Sequence, residues 1–243
     1  MFPCFSYMRQ LLTTALALVF SLSLHAQNEE TMKLIYVFDP LCGWCYGFSP
    51  VIQEFVDNHP ELELEVISGG MVVGDRVGPL ADIAPYMRRA YKDVEDRTGV
   101  RFGKPYLDEL FSEAKMIMNS EPASLALAVI KKEIEDPRKH LEFAGKVQKA
   151  IYFYGMHPED LDGLSEIMSQ YGLDKTTCLS LLKSELTKEA THAEFRRSDD
   201  LGVTGYPAVL AEQNGEIVRL LNGYAEINSL ELRLEQVTEA LNE

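Results

Sequence analysis

An α/β core interrupted by an all-helical segment is the fold class predicted by this 243-residue chain. Three observations carry it. The chain opens on a strand–helix–strand pattern, strand signals are absent from about residue 75 to 200, and two strands with a tight turn and a helix close it. The expected organisation is a leader at 1–26, a first core part at 32–74, a helical insertion at 75–200 and a second core part at 201–243.

Leu34-Ile35-Tyr36-Val37-Phe38 is a short run of β-formers, expected as a strand buried on both faces and ended by Asp39-Pro40. Tyr46 to Asn58 then places Val51, Ile52, Phe55 and Val56 on one helical stripe, stopped before His59-Pro60. Leu62, Leu64 and Val66 alternate with Glu61, Glu63 and Glu65, which predicts a half-exposed strand with a solvated glutamate face. Two strands joined by a crossing helix are expected to be parallel.

Within the helical stretch, Ala84, Met87, Ala90, Tyr91 and Val94 share a helical face, as do Leu107, Leu110, Phe111 and Ala114. Ser120-Glu121-Pro122 reads as a helix start, with the serine as cap and the proline in the first turn. Leu161, Leu164, Ile167, Met168 and Tyr171 form another stripe, closed by Gly172. Ala208–Ala211 and Ile217–Leu221 then flank Asn214-Gly215, a strong hairpin signal, and Glu226 to Leu241 reads as a final amphipathic helix.

Hydrophobic residues at 46% and charged residues at 25% describe a folded domain with an ample core. That balance excludes a disordered chain, a collagen-like fibre and a multi-span membrane protein. A net charge of −15 opposes a polyanionic nucleic-acid partner, and four cysteines are too few for a disulfide-stapled scaffold. Leu11 to Leu24 is an apolar run preceded by Arg9 and followed by Ala26, and it is shorter than the roughly 20 residues that span a bilayer. It reads as a secretory signal peptide, with Met8 as a plausible start and an uncleaved N-terminal anchor as the alternative. Its removal takes away Cys4 and Arg9, leaving three cysteines and a net charge of −16. Export, to the periplasm, is the expectation; translation from Met32 would give a cytosolic protein and leave the apolar run unexplained.

Cys42-Gly43-Trp44-Cys45 falls just after the first strand, at the head of the first helix. A thiol there meets unpaired N–H groups and the positive end of the helix dipole, which favour its ionised form. A second thiol one turn further in can close a disulfide or resolve a mixed one. The chemistry calls for an exposed thiolate and a shielded partner. Half of a zinc site and a plain structural disulfide are the competing readings. Zinc needs two more ligands, and His59, His140, His157, His192 and Cys178 stand alone and scattered.

The energetics set a limit. Lowering a thiol pKa from about 8.5 to about 6 takes roughly 3.4 kcal/mol. A helix terminus supplies about 0.3–2 kcal/mol and a charge-assisted hydrogen bond about 1.5–3. From Phe38 to Pro50 the only charge is Asp39, which opposes a thiolate, so moderate activation of Cys42 is expected.

With Asp39-Pro40-Leu41-Cys42-Gly43-Trp44-Cys45-Tyr46 at one end and Gly205-Tyr206-Pro207 before the hairpin at the other, residues 32–243 resemble the DsbA-like thiol–disulfide oxidoreductases of the thioredoxin superfamily. FrnE-like and predicted disulfide-isomerase members are the most similar, and 2-hydroxychromene-2-carboxylate isomerases are related in fold. The resemblance implies a thioredoxin-like fold with a helical insertion, Cys42 as nucleophile, Cys45 as resolving thiol and Pro207 as a cis-proline facing them. Gly43 and Trp44 depart from the Pro-His dipeptide of DsbA itself. An X-Pro bond holds the cis form at a cost of only about 0.5–1 kcal/mol, and Gly205 eases the turn. The backbone of Tyr206 could then pair with an extended substrate as an added strand.

Trp44, between the cysteines, is read as a partly exposed apolar wall for substrates. Cys178 shares a face with Leu181 and Leu182 and is read as a buried, inert thiol. Asp39 reads as a loop cap, or as a group steering proton transfer near Cys45. Tyr152-Phe153-Tyr154 is assigned to the core, with a peptide-binding cradle as the alternative, and Gly69-Gly70-Met71 to a tight turn or a loop beside the site. The function expected is thiol–disulfide exchange on protein disulfides, as oxidase or isomerase, with no metal or organic cofactor. Unfolded or cysteine-containing proteins are the expected substrates, a redox protein resets the dithiol, and the protein is expected to be a monomer. A glutathione-dependent isomerase of the chromene-carboxylate type and a peptide-binding chaperone with a structural disulfide are the alternatives.

Overall fold

The computed structural model describes residues 31–112 and 115–241. The leader expected at 1–26, with Cys4, Met8, Arg9 and the run 11–24, lies outside the described residues, as does Ala114. Strands β1 (Lys33–Phe38), β2 (Glu63–Ser68), β5 (Ala208–Gln213) and β6 (Glu216–Asn222) form a sheet of order β2-β1-β5-β6. The first pair is parallel in the register Tyr36 to Val66, as the strand–helix–strand opening requires. Strand β5 then runs antiparallel to β1, with Tyr36 opposite Val209. The Asn214-Gly215 turn has both residues at positive φ, 53° and 79°, the geometry a two-residue hairpin demands.

Alternation along β1 divides the packing. Leu34, Tyr36 and Phe38 enter the main core, whereas Ile35 and Val37 join Ile67, Val203, Ala208 and Leu210 in a smaller cluster on the other face. Helix α1 (Gly43–Asn58) buries Ile52, Phe55 and Val56 against the main core. It starts three residues before Tyr46, the start expected from the sequence, because Cys42 itself caps it. Strand β2 starts at Glu63 and is open only at its first residues: Val66, Ile67 and Ser68 are buried, and Glu65 is half-covered beside the Arg197 guanidinium at 3.7 Å. The glutamate face is thus solvated only in part.

Between the two parts of the sheet lie α2 (Leu80–Thr98), α3 (Lys104–Phe111), α4 (Glu121–Glu133), α5 (Pro137–Tyr152), α6 (Leu161–Ser169), α7 (Lys175–Leu182) and α8 (Glu185–Asp200). The chain closes on α9 (Ile227–Leu241). The helical stretch is not wholly free of strand: β3 (Gly78–Pro79) and β4 (Ile117–Met118) make a two-residue antiparallel ladder too short to leave a periodic signal. Phe111, expected on a buried stripe, is exposed at the end of α3, where the Arg88 guanidinium covers its ring at 5.5 Å. Tyr152 is fully buried, but Phe153 and Tyr154 follow the end of α5 and turn outward, correcting their assignment to the core.

Candidate active site

Cys42 occupies the N-cap of α1. Its backbone is extended (φ −87°, ψ 110°), its N–H donates to the Asp39 carbonyl at 3.1 Å, and its sulfur accepts from the Cys45 N–H at 3.4 Å. The sulfur therefore takes the place that a serine or aspartate oxygen holds in an ordinary cap, against the positive end of the helix. Expected to be exposed, Cys42 is only 7% accessible. The reason is tertiary: the segment before β5 crosses over it, and the thiol donates to the Tyr206 carbonyl at 3.5 Å. The Tyr206–Pro207 bond in that segment is cis.

Cys45, one turn into α1, is completely buried. Burial pushes its thiol well above the ordinary range, and the neighbouring Cys42 adds to the effect. Both are free thiols, as is Cys178. Trp44 is half-buried. The Arg97 guanidinium of α2 lies 5.2 Å above its ring, and the ring of Tyr224, between β6 and the last helix, is 6.1 Å away. The Tyr224 hydroxyl donates to the Arg97 carbonyl at 3.2 Å, tying this rim together.

Beneath the cysteines a buried carboxylate organises three loops. Asp39 Oδ1 accepts from the Leu41 N–H at 2.8 Å and from the Ser120 hydroxyl at 2.8 Å, and Oδ2 accepts from the Met71 N–H at 2.6 Å. Its main-chain carbonyl also accepts from the Gln148 amide at 3.2 Å. Burial raises the Asp39 carboxyl above its ordinary value, while these hydrogen bonds and Arg76 pull it back. The carboxylate is a loop fastener whose oxygens are already engaged.

Ser120 stands at the N-cap position of α4, but its side chain makes no capping hydrogen bond. It is in the helical region of φ/ψ, and its hydroxyl turns to Asp39 while accepting from the Val72 N–H at 3.1 Å. Asn119 takes over, its side-chain oxygen receiving the Glu121 N–H at 3.0 Å. Ser120, Gln148, Arg97 and Tyr224 are the site residues that sequence reading missed. The serine carried a signal, but for the wrong role.

Gly69-Gly70-Met71 is a loop at the site. The Gly69 carbonyl accepts from the Tyr206 hydroxyl at 2.7 Å, and a Cβ on Gly69 would fall 2.1 Å from the Tyr206 ring. Cys178 is buried on α7 near Leu182, and burial pushes its thiol up as well. His59 bonds to Glu61 and Glu231, His140 to the Ile134 carbonyl and His192 to Glu121. Among the described residues, no group of three or more His, Cys, Asp or Glu is placed to hold a metal ion.

A strand, a dithiol at the head of the next helix, a helical insertion and a cis-proline segment against the first sulfur together define a thioredoxin-like α/β fold with an inserted helical region. The chain belongs to the DSBA-like thioredoxin domain family, whose model matches residues 33–235. Solved structures agree on the fold. A Nitrosomonas europaea protein proposed to be a disulfide isomerase superposes with a TM-score of 0.76 at 24% identity, covering 87% of this chain and 99% of that one. The cytosolic disulfide reductase DsbM of Pseudomonas aeruginosa gives 0.72 at 23%, covering 87% and 100%. A 2-hydroxychromene-2-carboxylate isomerase gives 0.58 at 17%, covering 86% and 95%. No curated protein matches the chain. No helix among the described residues is long and apolar enough to cross a membrane.

Proposed function

We propose that the protein is a thiol–disulfide oxidoreductase acting on protein disulfides through Cys42 and Cys45. The observation that supports this most directly is the unlike placement of two thiols on one helical turn. Cys42 keeps 7% of its surface accessible with a helix N-terminus behind its sulfur, whereas Cys45 is completely enclosed and held protonated by burial. Cys42 as thiolate attacks a substrate disulfide, one substrate sulfur leaves, and a mixed disulfide forms. Cys45 then displaces the second substrate sulfur and closes the Cys42–Cys45 bond. An oxidase runs these steps in reverse, starting from the Cys42–Cys45 disulfide and a substrate dithiol, whereas an isomerase lets a second substrate thiol, in place of Cys45, attack the mixed disulfide. The modes also differ in the redox protein that resets the pair.

The substrate is an extended, cysteine-containing segment lying along the Tyr206 backbone at the cis-Pro207 segment, with Trp44 as an apolar wall. No metal or organic cofactor enters these steps. The apolar run at 11–24 supports export to the periplasm with cleavage near Ala26. N-terminal sequencing of protein from the periplasmic fraction is expected to begin near residue 27. A start at Met1 or Met32 would overturn the export reading.

Trapping tests the chemistry. Cys45→Ser is expected to accumulate dithiothreitol-sensitive complexes with a scrambled-disulfide protein, and Cys42→Ser to accumulate none. Equal trapping by both variants would overturn the assignment of roles. Activity that survives the double variant would point instead to a peptide-binding chaperone. Glutathione-dependent chromene isomerisation that survives Cys45→Ser would point to the isomerase chemistry.

A further inference from the structure

We propose that the Tyr36 hydroxyl is the hydrogen-bond donor that receives the Cys45 thiolate when that sulfur resolves the mixed disulfide. The proposal rests on the dithiol reading above and assigns it a further catalytic residue. Tyr36 lies in β1 and points with Leu34 and Phe38 into the core beneath α1. Its ring stacks on Phe38 at 5.6 Å and approaches Phe48 at 6.0 Å. Phe48 is three residues after Cys45, so the two share the buried face of α1 that Tyr36 packs against. The tyrosine is 1% exposed, and its hydroxyl is without a hydrogen-bond partner of regular geometry. Buried hydroxyls are nearly always paired, so one held open beside a reactive sulfur calls for an explanation.

Burial raises the phenol well above its ordinary value, and Cys45 and Cys42 raise it further by their charge, with a side-chain hydrogen bond to Cys45 as a smaller contribution. The phenol therefore stays neutral. It can donate to the sulfur but cannot take its proton. The other ionisable groups that bear on Cys45 are unsuited to the task. Cys42 shares its turn of α1, and Asp39, in the loop between β1 and α1, offers its backbone N–H but opposes an anion with its carboxylate. Tyr152 on α5 and Tyr206 before β5 bear on the sulfur only through charge. Both oxygens of Asp39 are also already taken by three donors.

During resolution Cys45 Sγ bonds to Cys42 Sγ, the bond from Cys42 to the substrate sulfur breaks, and the proton lost by Cys45 ends on the departing substrate thiol. The cysteine pair is oxidised and the substrate sulfur reduced, while Tyr36 keeps its own proton throughout. An enclosed thiolate has no water to solvate it, and a hydrogen bond to a charged group is among the strong ones.

Single-turnover reaction of the reduced full-length chain with 5,5′-dithiobis(2-nitrobenzoate) separates the steps, since Cys42 releases the first aromatic thiol and Cys45 the second. Tyr36→Phe is expected to leave the first phase unchanged and slow the second about tenfold at neutral pH, the gap closing as pH rises toward the ionisation of Cys45. Its melting temperature should hold, because the hydroxyl removed had no partner in the resting state. Equal second-phase rates, or equal slowing of both phases, would overturn the proposal. Replacing Tyr36 by 3-fluorotyrosine, a stronger donor of the same shape, is expected to quicken the second phase, and no change would also overturn it. Absence of any first phase in the unsubstituted protein would instead refute the dithiol reading itself.

Discussion

Ser120→Ala removes one methylene-borne oxygen and tests how far the helical insertion holds the redox loop in place. Two hydrogen bonds are lost, Ser120 to Asp39 Oδ1 at 2.8 Å and Val72 N–H to Ser120 at 3.1 Å. The first serves a buried carboxylate and is worth about 1.5–3 kcal/mol; the second leaves a covered N–H unpaired at about 1 kcal/mol or more. The sum is about 3 kcal/mol at neutral pH. For a domain of this size that lowers the melting temperature by about 6–12 °C.

The loss carries a pH signature whose sign is fixed. The serine donor lowers the Asp39 pKa against a larger upward push from burial, so it favours the ionised carboxyl. Its contribution is present above the Asp39 ionisation and shrinks as pH falls through it, leaving the Val72 share behind. Urea unfolding followed by far-UV circular dichroism at pH 7.5 and pH 4 would measure both values. Asn119→Ala, which removes the actual cap of α4, provides the control: about 1 kcal/mol, with no such pH dependence. A loss for Ser120→Ala below about 0.5 kcal/mol, or one equal at both pH values, would refute the account of Asp39 as a fastened carboxylate.

Gly69→Ala would drive a methyl group to 2.1 Å from the Tyr206 ring, so the cis-proline segment must shift; a loss of about 1–3 kcal/mol and slower alkylation of Cys42 are expected, and an unchanged melting curve would contradict the contact. His59 bridges Glu61 at 2.9 Å and Glu231 at 2.7 Å, linking the end of α1 to α9. Burial works to lower its pKa, but the two carboxylates outweigh it and raise it. The bridge is therefore fully present below the unfolded value and fades as pH rises through the folded one; after screening, His59→Gln should cost a few tenths to about 1 kcal/mol at pH 6 and less at pH 8.5. An effect of the opposite pH trend would exclude the bridge. Arg97→Ala uncovers one face of Trp44, the single tryptophan, and its fluorescence should move to longer wavelength. An unmoved spectrum would show that the guanidinium does not shield the ring.

The dithiol at the head of the first helix was legible because its signals are local: a run of β-formers, a Cys-x-x-Cys, a helical stripe. The hairpin was legible for the same reason, since Asn214-Gly215 dictates its own backbone. Phe111 was misread because a helical stripe says which residues share a face and not where the covering chain stops. Phe153 and Tyr154 were misread because aromatic composition marks a tendency to be buried, while the end of α5 decides direction.

The amino-acid sequence by itself determined the α/β class, the helical insertion and the spacing of the two cysteines, since each rests on neighbours within a few turns of chain. Tertiary structure alone decided how accessible Cys42 is, which groups fasten Asp39, and what faces Cys45. Ser120 and Gln148 reach Asp39 from 81 and 109 positions away, and Tyr206 reaches Cys42 across 164. Partners so distant leave no periodicity behind; only close packing of a carboxylate and two sulfurs away from water selects which hydroxyl, amide or carbonyl must be brought to them.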